Sequence, residues 1–130
     1  DANGDVRTFT PGRTTRYSKT ISTVGQSAMR GYGPFSGPVA CVMTFVFPVP
    51  RSWSAERREK ALAGAILPTI RPDLDNVAKT ILDGLNDIVF YDDAQITTKT
   101  VSKVYGATPE TRLVFRPLAA EPAVVLKKAA

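Results

Sequence analysis

The chain has 130 residues, 43% of them hydrophobic and 22% charged, which fits one globular domain with a single core. No apolar run approaches the roughly 20 residues a bilayer span needs, and residues 1–10 lack the basic-then-apolar layout of a signal peptide. There is no histidine, so His–metal nucleases, Ser-His-Asp hydrolases, zinc fingers and imidazole acid–base chemistry are all excluded.

The lone Cys41 cannot form an intrachain disulfide and sits in an apolar run, where it reads as a small buried hydrophobe in a reduced, cytoplasmic setting. Net charge is +5 but uneven. Residues 71–93 hold six acids against two bases, a local −4, and the rest of the chain holds 15 bases against six acids, a +9. A basic body around an acidic pole suits a polyanion held by Lys and Arg while the carboxylates hold a cation.

In chain order, residues 1–13 read as loop or edge. Tyr17, Ile21, Val24 and Ala28 fall at helical spacing, predicting a helix near 15–29 that the glycines at 31 and 33 and Pro34 stop. Residues 39–47, VACVMTFVF, are apolar at both alternating positions and predict a strand covered on both sides. Ser54 can cap a short helix that Gly64 ends, with Trp53 as a packing staple before it. The clearest helix begins at Asp73, with Leu74, Val77, Ala78, Ile81, Leu82 and Leu85 as its apolar stripe. Asp75, Lys79 and Asp83 line its other side at i,i+4 steps. Residues 88–91 look extended, and Asp92 and Asp93 form a turn into a strand over 96–105. A second turn precedes a strand over 111–116. This order predicts an α+β fold, a single domain with helices packed against a small mixed β-sheet.

The chemistry concentrates in Asp73 and Asp75. Two close carboxylates repel, and a hard divalent ion such as Mg²⁺, which takes oxygen ligands and keeps several waters, is the natural third party. Asp73 alone would be an ordinary helix cap. Asp92 and Asp93 add a second pair, provided that residues 88–91 run back along the helix to return them to its N-terminal end. Lys79 is either an i,i+4 ion-pair partner of Asp75 or a cation placed near the charge that develops on phosphate oxygens. An EF-hand loop starting at Asp73 fails, because its sixth position is Ala78 and its twelfth Gly84.

The stretch Arg71-Pro72-Asp73-Leu74-Asp75-Asn76, Lys79, Ile81-Leu82-Asp83-Gly84-Leu85-Asn86 and Tyr91-Asp92-Asp93-Ala94-Gln95-Ile96 resembles the RusA family of Holliday junction resolvases. Phe45-Val46-Phe47-Pro48 upstream and Val101-Ser102-Lys103-Val104-Tyr105-Gly106 downstream are similar too. The resemblance implies metal-binding catalytic carboxylates at Asp73, Asp75 and Asp93, a catalytic lysine at Lys79, and Asp92 and Asn76 as outer partners of the ligands. It further implies a Mg²⁺-dependent homodimeric endonuclease, with Mn²⁺ able to substitute, that nicks opposed strands of a four-way DNA junction in a bacterial or phage-infected cell. Arg13, Arg16, Lys19, Arg30, Arg57, Arg58 and Arg71 are the candidates for holding the DNA backbone. Family members carry a strand and a basic segment ahead of the Arg7 equivalent. The expectation is therefore a nuclease domain over 1–118 without that first strand, then a loosely ordered tail over 119–130. The competing readings are a nuclease of other branched DNA on the same scaffold and a non-catalytic junction-binding protein.

Overall fold

A computed structural model describes residues 5–9 and 14–118, with side chains from Thr20 to Leu118. The elements run β1 (Asp5–Phe9), α1 (Thr14–Ala28), β2 (Val39–Pro48), α2 (Ala55–Leu62), α3 (Leu74–Leu85), a 3₁₀ turn at Asp93–Gln95, β3 (Ile96–Gly106) and β4 (Glu110–Pro117). The expected α+β fold is found: helices pack on a four-stranded mixed sheet of order β1-β4-β2-β3. β3 runs parallel to β2, and β4 runs antiparallel to both β2 and β1. The turn between β3 and β4 thus arches over β2 and does not close a hairpin. Residues 1–13, read as loop or edge, supply the edge strand β1. The tail over 119–130 lies outside the described residues.

The helix ends follow from local chemistry. Ser54 accepts the Arg57 N–H at 3.2 Å, so its hydroxyl satisfies one of the free amides that every helix start leaves. Gly31 and Gly64 take φ of +84° and +88° just beyond α1 and α2, a left-handed conformation that costs glycine little.

The core lies between the sheet and the α1–α3 pair. Ile21 and Met29 from the α1 region, and Val77, Ala78, Ile81, Leu82 and Leu85 from α3, pack with Val39, Cys41, Met43, Phe45, Leu113 and Phe115. The predicted stripe of α3 is the buried one, leaving Asp75, Lys79 and Asp83 exposed. Ser22 ties the two helices by donating to the Gly84 carbonyl at 3.1 Å.

Two expectations are corrected. β2 is not covered on both sides: Val39, Cys41, Met43 and Phe45 are buried, but Val42 on the opposite face is 41% exposed. Both α1 and α3 lie on the first face, and the second is covered only toward the end of the strand, where Val46 is buried. Residues 88–91 are not extended. Asp87 takes φ +67°, its N–H donates to the Phe90 carbonyl at 2.6 Å, and the Ile88 and Val89 amides both return to the Leu85 carbonyl at 3.0 Å. Val89 and Phe90 are fully buried, and driving two large apolar residues into the core folds this segment into a tight turn.

Burial in this core pushes the Cys41 thiol up to about 11, with the Lys99 ammonium pulling weakly the other way. Only the thiolate is nucleophilic. Cys41 will therefore stay unreactive toward a disulfide reagent at pH 8 in the native protein and react at once in denaturant. Rapid labelling without denaturant would contradict its burial.

Candidate active site

α3 begins at a feature the cap rule alone does not anticipate. Asp73 has the extended backbone of an N-cap, φ −61° and ψ 138°, and its carbonyl accepts the Val77 N–H at 3.1 Å. Its side chain, however, makes no capping hydrogen bond. The expected cap is present in backbone only, and the exposed carboxylate is left free to bind something else. Asp75 follows in the first turn, also exposed. The segment leading in is held from the sheet, where the Lys103 ammonium donates to the Ile70 carbonyl at 2.6 Å.

One turn on, Lys79 pairs with Asp83 at 3.6 Å and not with Asp75 behind it. Both side chains are more than half exposed, so the pair contributes little to stability and chiefly orients the ammonium. Asn76 is exposed, and its carbonyl accepts the Thr80 hydroxyl at 3.0 Å.

Asp92 and Asp93 sit on the 3₁₀ turn that enters β3. Asp92 is its cap: its Oδ1 accepts the Ala94 N–H at 3.3 Å, while the Gln95 side chain reaches back to the Asp92 N–H at 3.0 Å. This is a capping box, with each end of the turn satisfying the other. Asp93 is only partly exposed. A hydrogen bond with the Asp92 carboxyl holds its own carboxyl above the ordinary carboxylate range. Burial and the negative charges of Asp92 and Asp83 add to this effect, and Lys79 opposes it.

Asp83 and Lys79 on α3 thus both act electrostatically on Asp93. The second pair is reached through a tight turn and not through the expected extended run. Among the described residues no three acidic or thiol groups already stand as a metal cluster. The donor chemistry nevertheless suits a hard divalent ion, being oxygen-only and anionic. One carboxylate is free of its cap, and another sits among negative charges that push its pKa up, a repulsion that a cation relieves.

Comparison with known proteins decides the family. Residues 1–115 match the model of the family described as Endodeoxyribonuclease RusA. The chain belongs to the RusA endodeoxyribonuclease family. It is also 32% identical over 120 residues to a Bacillus subtilis (strain 168) protein described as uncharacterized protein YqaN, an alignment covering 91% of this chain and 84% of the relative. Family membership makes the chain a nuclease by descent.

The basic residues of this RusA-family chain are less uniform than their charge implies. Arg30 and Arg71 are exposed, Arg71 two positions before Asp73. The Arg57 guanidinium lies 3.8 Å over the Trp53 ring, which in turn packs edge-on against Tyr105 at 5.3 Å. Arg58 is partly buried and donates to the Val49 and Pro50 carbonyls at 3.4 and 2.8 Å, a tie between α2 and the end of β2. Arg13 lies outside the described residues, as do the side chains of Arg16 and Lys19 on α1.

Two residues escaped the sequence reading of the site. Asp83 reads as one charge in an i,i+4 row and as part of the motif; the fold adds its ion pair with Lys79. Gln95 was seen as part of a motif, although a Gln three residues after an Asp is a capping-box signal.

Proposed function

We propose that this chain is a Mg²⁺-dependent, structure-selective endonuclease that resolves Holliday junctions by hydrolysing phosphodiesters in opposed strands. The observation carrying the proposal is the uncommitted carboxylate of Asp73 at the start of α3, beside Asp75, in a chain of the RusA family. Asp73, Asp75 and Asp93 would hold the ion. Once held there, Mg²⁺ supplies Lewis acidity and charge neutralisation at the scissile phosphate, and Mn²⁺ is expected to substitute. Lys79, oriented by Asp83, offers its ammonium to the negative charge that builds on phosphate oxygens during in-line attack. Asp92 and Asn76 support the ligands from behind.

Arg30, Arg57 and Arg71, together with Arg13, Arg16 and Lys19, are the proposed contacts to the DNA backbone. Arg58 contributes less, since part of its guanidinium is already engaged. Such contacts carry little sequence information and weaken steeply with salt. A two-fold homodimer presents two such sites to a four-way substrate of matching symmetry. The proposed setting is the cytoplasm of a bacterial or phage-infected cell.

The test is a substrate panel. At equal salt, four-way junctions are expected to be nicked well ahead of flaps and linear duplex, by a species of twice the 14.0 kDa chain mass in light scattering. Equal or faster cutting of flaps would reassign the enzyme to other branched DNA on the same scaffold.

A further inference from the structure

We infer that Gln95 is the positioning residue of the Asp92 and Asp93 turn, and that its side-chain amide sets how this turn offers its carboxylates to a divalent cation. The inference rests on the metal-dependent reading above and adds a residue that touches neither ion nor DNA.

The Gln95 amide uses its whole hydrogen-bonding capacity. Oε1 accepts the Tyr91 N–H at 2.8 Å and the Asp92 N–H at 3.0 Å, while Nε2 donates to the Phe35 carbonyl at 2.9 Å and the Gly37 carbonyl at 2.8 Å. An amide has two acceptor sites and two N–H donors, so all four are spent. The opposite flip would set N–H against N–H and carbonyl against carbonyl, so these partners fix the orientation. A capping box needs only the bond to the cap residue's N–H. The two bonds across to the loop before β2, some 60 positions away in sequence, are additional.

That loop is itself anchored. Phe35 donates its N–H to the Val89 carbonyl at 2.8 Å and forms a bridge with Phe90, which is fully buried against Phe115. A continuous path therefore runs from the core beneath α3, through Phe35 and the Gln95 amide, to the backbone of Tyr91 and Asp92. The turn it holds carries two adjacent carboxyls, and a neutral, doubly bidentate clamp fixes their backbone without adding charge. A glutamate in its place keeps both acceptor bonds but faces two carbonyls with no donor.

The experiment compares full-length wild type, Gln95→Glu and Gln95→Ala. Three readouts are taken: Mn²⁺ binding without DNA by electron paramagnetic resonance, the Mg²⁺ dependence of single-turnover junction cleavage, and junction affinity in EDTA. Both variants are expected to keep native circular dichroism and wild-type junction affinity. They should lose about 10–100-fold in Mn²⁺ affinity or in cleavage rate, the range for residues that support metal ligands from behind. A purely structural Gln95 would lower the melting temperature and leave the metal titrations unmoved. Folded variants with wild-type Mn²⁺ affinity and Mg²⁺ profile, or unfolding of both, would overturn the positioning role while leaving a cutting wild type in place. A wild type that neither binds Mn²⁺ nor cuts would instead overturn the metal-dependent reading, and this inference with it.

Discussion

Asp75→Asn will abolish junction cleavage in Mg²⁺ and leave junction binding intact or slightly tighter. The substitution keeps the shape of an exposed side chain in the first turn of α3. Its cost to folding is limited to a helix-dipole interaction of about 0.3–1 kcal/mol. Its effect on the reaction is far larger. A bound metal contributes several kcal/mol of transition-state charge stabilisation. At ~1.4 kcal/mol per tenfold in rate, losing ~4 kcal/mol slows cleavage about 10³-fold. Removing a negative charge cannot weaken the hold on a polyanion, so the two readouts should part company. Gel-shift and single-turnover assays on one labelled junction separate them. Normal cutting by this variant would remove Asp75 from the site.

Lys79→Met should lower kcat by about 10²–10³-fold, the loss seen when one preorganised donor to a developing oxyanion is removed. Methionine keeps the stem and deletes the ammonium. The ion pair that is lost, Lys79 with Asp83 at 3.6 Å, is mostly exposed and contributes at most ~1 kcal/mol to stability. A loss of activity therefore cannot be assigned to unfolding. Junction affinity should change little, because one lysine among many basic groups is removed. An unchanged kcat with weakened binding would make Lys79 a backbone contact and not a participant in the chemistry.

The parts of the fold legible in the sequence are those governed by local pattern. α3 was readable because its apolar stripe repeats at helical spacing and its polar face carries charges one turn apart. α2 was readable from Ser54 and Gly64, each with its own conformational reason. What could not be read depended on contacts remote in sequence. Residues 88–91 have strand-like composition, yet Val89 and Phe90 reach the core by a tight turn at Asp87. β2 looks buried on both faces because its residues are apolar throughout, but the helices gather on one face and leave Val42 open.

The site divides in the same way. Asp73, Asp75 and Lys79 lie on one helix, so their spacing could be judged from sequence. That Asp73 would occupy the cap position without using its carboxylate could not. Nor could the electrostatic influence of Asp83 and Lys79 on Asp93, or the Gln95 clamp that ties its turn to residues 35–37.

The most direct measurement of the central claim is a gel of an end-labelled synthetic four-way junction incubated with wild-type protein in Mg²⁺ or in EDTA. The account predicts paired nicks in opposed strands with Mg²⁺, and binding without cutting in EDTA. Binding without nicks under both conditions would contradict it and make the chain a non-catalytic junction-binding protein.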